Sequence, residues 1–311
     1  MRQVSRRKER SEWNDELEKL RSAIATPRLA NVPGSHHVVV AGPKGGTGKT
    51  TTAAMLATTL ATWRGEIVSV LDATNQIGTL RRRLIPSSEP PTLPFQELCQ
   101  GALAGDLAPE WSALASYFDV VGGLRVLRCL SSPADEEDLS PEEFVAGVAL
   151  LRRAGQIVVS DIGTKANGPL AVAVLASANS LVLATELTYD ALELTIEMVS
   201  ALAGQPLSYR PDPDDWSAVS DGRFASLVSS AVVVVSPGRQ RRNGADGEPN
   251  LSMMLEWLRV VCGGSVVVVG HDDNLSAGHL IDLDQLDVDT VLAYSCVAAA
   301  VAARFPLAET Q

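Results

Sequence analysis

Ten consecutive residues, Gly42-Pro43-Lys44-Gly45-Gly46-Thr47-Gly48-Lys49-Thr50-Thr51, have the types needed to hold a chain of phosphates. Glycines let the backbone turn tightly, so that successive amide N–H groups point inward at phosphate oxygens. The helix expected to follow adds its positive N-terminal end. Gly45, Gly46, Thr47, Gly48, Lys49, Thr50 and Thr51 are therefore the candidate phosphate-binding set. Lys49 supplies a point charge for the β- and γ-phosphates. The Thr50 hydroxyl is a candidate ligand for Mg²⁺.

A phosphate site at the carboxyl ends of parallel strands draws acids from neighbouring strand ends. Asp161 ends the apolar run Ile157-Val158-Val159-Ser160, where a carboxylate holds Mg²⁺ through water. Asp72 ends Val68-Ser69-Val70-Leu71 in the same manner. Either acid can instead be an ordinary turn residue; the loop nearby favours the site.

The ordinary Walker A pattern fails, because Pro43 stands where it needs glycine. The deviant form, Lys-Gly-Gly-x-Gly-Lys-Thr, fits at every position from Lys44 to Thr50. The string resembles the ParA/MinD superfamily of P-loop ATPases, with the likeness running over roughly residues 36 to 306. That resemblance implies ATP as ligand, with Mg²⁺ bound through Thr50 and Asp161. It implies a nucleotide-dependent homodimer in which Lys44 reaches the partner's phosphates. It also implies hydrolysis served by Lys44, Lys49 and Asp72. The family has Asp-x-Asp where this chain has Asp72-Ala73-Thr74, so the acid that orients water is replaced by Thr74. Slow turnover is the expectation, and a non-hydrolysing, nucleotide-binding scaffold is the alternative. The segment Leu71 to Asn75 with Gly78-Thr79-Leu80 is similar to actinobacterial MinD-like proteins, some associated with type VII secretion. His271 to Gly278 is similar in part to the family's loop near the base, with Asp272 as either nucleotide contact or turn residue. Relatives place an adenine-contacting Asn where this chain has Ser236 and Pro237, so no adenine role carries over.

Positioning such a loop requires a strand before it and a helix after it. Val38–Val40 supply the strand, and residues 49 to about 63 the helix, with Gly65 as its cap. Ile67–Leu71 form the next strand, which makes one βαβ unit. Apolar strand runs then alternate with helices to the C-terminus, where a helix over 291–304 closes the chain. The pattern predicts an α/β, three-layer P-loop fold: a mostly parallel sheet with helices on both faces. Ser140-Pro141-Glu142-Glu143 reads as a capping box opening a helix to about Arg153. Residues 80–117 suggest short helices and loops, and 205–223 a surface insertion. Residues 1–35 read as an N-terminal extension with one amphipathic helix (Trp13, Leu17, Leu20, Ile24), ahead of a domain over 36–311.

The chain has 311 residues, 46% hydrophobic and 20% charged, as a soluble globular protein does. Its net charge of -11 excludes a surface that coats nucleic acid or anionic lipid throughout. Local basic clusters remain: Arg81-Arg82-Arg83, and Arg239 with Arg241 and Arg242. They are candidates for non-specific DNA contacts, although a solvated surface or local ion pairing with nearby acids is the favoured reading. MinD proper ends in a basic amphipathic helix that binds membrane; the tail here has one basic residue, Arg304, before Pro306, which disfavours membrane recruitment. No run approaches the roughly 18 apolar residues of a spanning helix, and no apolar secretory segment opens the chain. A cytoplasmic protein is expected, with an unidentified protein partner. Cys99, Cys129, Cys262 and Cys296 form no C-x-x-C pair and read as buried free thiols. That ranks last an ATP-driven reductase that bridges an iron–sulfur cluster. The four histidines lack metal-ligand spacing.

Overall fold

A computed structural model describes residues 35–64, 67–73, 79–86, 92–128, 139–163, 168–205, 220–238 and 251–305. The N-terminal extension, the Gly65 cap, Thr74, Cys129 and the Arg239–Arg242 cluster lie outside the described residues.

The first unit is β1 (His36–Ala41), the glycine loop, α1 (Lys49–Arg64) and β2 (Val68–Asp72). Three short helices follow: α2 (Leu80–Leu84), α3 (Phe95–Ala104) and α4 (Trp111–Leu114). Strands β3 (Phe118–Val121) and β4 (Leu124–Leu127) come next, then α5 (Pro141–Arg153) and β5 (Ile157–Asp161). The capping box that opens α5 is formed: Glu143 N donates to Ser140 Oγ at 3.2 Å, and Ser140 N donates to the Glu143 carboxylate at 2.8 Å. Beyond β5 run α6 (Pro169–Ser177), β6 (Ser180–Glu186), α7 (Tyr189–Leu202), α8 (Ala225–Ser229) and β7 (Val232–Ser236). The chain continues through α9 (Leu251–Val261), β8 (Val266–Val268), α10 (Asp273–Ser276) and α11 (Val288–Ala302).

Among the described residues the strands form one eight-stranded sheet, ordered β3-β4-β2-β5-β1-β6-β7-β8. Every pairing is parallel except β3 with β4 at the edge. That exception has a local cause. Only Gly122 and Gly123 separate the two strands, and Gly122 takes a positive φ of 58°, so the chain reverses at once.

Strand residues alternate between two cores, as side chains of period two must. Val39 and Ala41 of β1 join Leu71, Val158 and Leu183 under α3, α5, α6, α7 and α9. Val38 and Val40 join Val70, Val159 and Val182 under α1, α2 and α11. Burial on both faces explains why the central strands read as unbroken apolar runs. The helix α3 crosses α5 at Gly147, where an added Cβ would overlap Cys99 Sγ.

One expectation changes on the structure. Cys99 and Cys262 are buried, but Cys296 is exposed, because it lies on the outer side of α11. The Arg81–Arg83 cluster falls on the side of the favoured reading rather than of an open basic patch. Arg81 makes a bidentate pair with Asp119, at 2.6 and 3.1 Å, and Arg83 is only 7% exposed. That leaves Arg82 alone facing outward for any DNA phosphate. Of the predicted insertion over 205–223 only Gln205 and residues 220–223 are described, and the short helix α8 follows it. At the C-terminus Arg304 is tied inward, donating to the Ser230 and Ala300 carbonyls and to Ser265 Oγ. Phe305 is buried against the His36 ring. Among the described residues no helix is long and apolar enough to cross a membrane.

Candidate nucleotide site

Parallel strands bring their carboxyl ends to one rim of the sheet. Val40 pairs with Asp161, Asp72 with Asp161, and Glu186 with Ser236, so the loop, both acids and the ends of β6 and β7 share that rim. The glycine loop leaves β1 over this rim and enters α1. Gly42 must be glycine: a Cβ there would lie 2.5 Å from the Ala184 carbonyl oxygen of β6. Gly46 and Gly48 take positive φ, 84° and 85°, which side chains rarely adopt. The first turn of α1 closes with Thr52 N donating to Gly48 O at 2.8 Å.

Lys49 is 7% exposed, and its ammonium donates to the Lys44 carbonyl at 2.6 Å. Thr47 Oγ1 donates to the same carbonyl at 3.3 Å. Burial pulls the Lys49 ammonium below its ordinary pKa, and the Asp161 charge pulls it partly back. Gly45 and Gly46 are exposed, and Lys44 and Gly48 are half-buried.

The structure brings the two acids and the threonine together at this rim. Thr50 Oγ1 donates to Asp161 Oδ2 at 2.5 Å. Asp161 and Asp72 are 3% and 5% exposed. Burial, then repulsion from Asp72, push the Asp161 carboxyl up to about 7, against the Thr50 hydrogen bond and the Lys49 charge. Asp161 Oδ1 is buried with no hydrogen-bond partner among the described residues. A buried oxygen without a partner, a hydroxyl and a second carboxylate make a donor set suited to a hard divalent cation. The residues present therefore fit Mg²⁺.

Beside the loop lies a cleft of about 600 Å³, walled by Gly48, Thr51 and Thr52 on one side. Glu186, Ser236 and Pro237 form a second wall, and Asp272, Leu275 and Tyr294 a third. Its size suits a nucleotide. Asp272 serves the fold: its carboxylate accepts from the backbone N–H groups of Asn274, Leu275 and Asp287, so it is a cap for α10. Ser236 donates to the Thr185 carbonyl at 3.0 Å. Glu186, Tyr294 and Arg83 did not emerge from the sequence. Glu186 ends a buried strand, as Asp161 does, and that was the available signal. Tyr294, whose hydroxyl is hydrogen-bonded with Thr52, had none.

A model of the family described as the CobQ/CobB/MinD/ParA nucleotide binding domain matches residues 38–301. The ESX-1 secretion-associated protein EspI of Mycobacterium tuberculosis is 28% identical over 269 residues, which are 83% of this chain and 35% of EspI. This chain thus spans about a third of the length of that relative. A ParA family ATPase from Chlorobium tepidum superposes with a TM-score of 0.60 at 14% identity, over 87% of this chain and 98% of that one. The septum site-determining protein MinD of Pyrococcus horikoshii, complexed with Mg-ADP, gives 0.54 at 18% identity, over 85% and 94%. At such identities the two structures speak for the fold alone.

Proposed function

This chain belongs to the CobQ/CobB/MinD/ParA nucleotide-binding domain family, and on that premise we propose that it is a Mg²⁺-dependent ATPase whose bound nucleotide switches it into a homodimer. The observation that carries the reading is the Thr50–Asp161 contact of 2.5 Å directly below the glycine loop. It joins the first turn of α1 to the end of β5, the two residues proposed to hold the cation.

The residues divide the work. Loop amides from Gly45 to Thr51 and the α1 N-terminus bind the phosphates. Lys49 exchanges its Lys44 carbonyl for phosphate oxygens. Thr50 and Asp161 hold Mg²⁺, which when bound neutralises charge on the phosphates. Asp72, at the neighbouring strand end, serves hydrolysis from the same rim. Catalysis of this kind rests on positioning and electrostatics rather than covalent chemistry. Lys44 serves the partner's phosphates in the dimer. The switch serves spatial organisation of a cargo or of a division or secretion apparatus, and the likeness to EspI favours the last of these.

Calorimetric titration of Mg·ATP into wild type and Lys49→Ala tests the site. Binding by the wild type and at least tenfold weaker binding by the variant are expected. Equal affinities would remove the assignment. Light scattering on Lys44→Ala tests the switch: ATP should dimerise the wild type and leave the variant monomeric. Thr74 favours a second reading, a scaffold that binds ATP without turning it over. Phosphate release at background level, with binding intact, would select it.

A further inference from the structure

We propose that Arg83 is a positioning residue that fastens α10, which lines the nucleotide cleft, to the phosphate-binding helix. The inference rests on the nucleotide reading of that cleft. Arg83 lies on α2, just after the segment that follows Asp72. Its guanidinium is buried, and no carboxylate pairs with it among the described residues. Instead Nη2 donates to Thr51 Oγ1 at 3.2 Å and to the Leu275 carbonyl at 3.0 Å. Nε is buried without a partner among the described residues. A methyl group on Gly278 would lie 3.6 Å from Nη1, and Ile281 N donates to the Arg83 carbonyl at 2.8 Å.

Thr51 and Leu275 both line the cleft, and Nη2 of Arg83 bridges them. Burying a cation without an ion pair costs stability, so a side chain that only filled space would be better apolar. The short helix α10 is held from two sides. Asp272 caps its amides, and Arg83 takes the Leu275 carbonyl. Because Thr51 Oγ1 accepts from Arg83, its own proton is free to be donated elsewhere. The phosphate loop has separate ties, Lys49 to Lys44 O and Thr50 to Asp161. Loss of Arg83 should therefore loosen the wall that faces the nucleoside and spare the grip on the phosphates.

The test is titration of Mg·ATP and of Mg·tripolyphosphate into the full chain as wild type, Arg83→Met and Arg83→Lys. Losing two hydrogen bonds to one side chain predicts about tenfold weaker ATP binding in Arg83→Met. Tripolyphosphate affinity should not change. Arg83→Lys keeps the charge and one donor direction, so about threefold weaker ATP binding is expected, again with tripolyphosphate unchanged. If Arg83→Met fails to fold, Arg83→Lys decides. Equal losses for the two ligands would mean a general structural role and overturn the proposal, as would unchanged ATP affinity. Failure of the wild type to bind ATP would instead remove the nucleotide reading itself, and this inference with it.

Discussion

Thr50 and Asp161 stand on different elements, and their contact gives the site its sharpest consequence. Asp161 titrates near 7, above its ordinary carboxylate value, because burial and Asp72 disfavour its charge. A folded value above the unfolded one means that deprotonation costs the folded state, and that cost is fully present above about pH 7. Asp161→Asn should therefore raise the melting temperature of the nucleotide-free protein at pH 8. The same change should abolish the further rise that Mg·ATP gives the wild type, since an amide cannot supply the charge for the cation. Thermal melts with and without Mg·ATP check both signs; a variant no more stable than wild type, or one still stabilised by Mg·ATP, would contradict the account. At this scale the sequence was legible where the site is contiguous. Gly42–Thr51 carry their own geometry, and Asp72 and Asp161 each end an apolar run. Arg83 and Tyr294 were not legible, because only the packing of α2 and α11 around α1 brings Tyr294 to the cleft and Arg83 to Thr51 and Leu275.

Helices and strands hold those residues in place, and one crossing is exacting. At the α3–α5 contact an added Cβ on Gly147 would overlap Cys99 Sγ and lie 3.3 Å from Cys99 Cα. Gly147→Ala should cost about 1–3 kcal/mol of stability, as overpacking does. Urea denaturation measures it, and Cys99→Ala in the same chain should recover part of the loss. A denaturation midpoint unchanged from wild type would show that the helices move apart freely. Elements buried on both faces were readable, since β1, β5, β6 and β7 are apolar runs bounded by turns. The reversal of β3 against β4 has its mark in the sequence too, since a Gly-Gly pair between two short strand runs signals a hairpin, but the alternation of strands and helices elsewhere masks it. The order of the strands was not legible; it depends on crossovers that leave no local mark.

Across the whole molecule the sheet separates two ends. The carboxyl rim carries the acids and the glycine loop, while the opposite rim buries His36 and His37. His36 Nε2 lies 2.9 Å from Ser180 Oγ, and His37 Nε2 lies 2.8 Å from Ser160 Oγ. Ser177 Oγ donates to the Val174 carbonyl at 2.8 Å and sits 3.1 Å from His37 Nδ1. Nδ1 therefore carries the proton, and Nε2 accepts from Ser160. Burial, with Arg152 nearby, lowers His36 to about 3 and His37 to about 4. Both stay neutral in the fold while the unfolded chain takes up protons below about 6.5, so stability falls as pH drops from 6.5 toward 4. Each contributes a slope of up to ~1.4 kcal/mol per pH unit. Asp161 titrates in the opposite sense, so the measurement is a difference: His37→Gln should lose stability less steeply than wild type between pH 6.5 and 5. Parallel slopes would contradict the neutral, buried pair. The central claim concerns the other rim, and isothermal titration of ATP into wild type, with and without Mg²⁺, and into Lys49→Ala addresses it most directly. The account predicts saturable binding that Mg²⁺ strengthens and that Lys49→Ala loses. Binding indifferent to both the cation and Lys49 would contradict it.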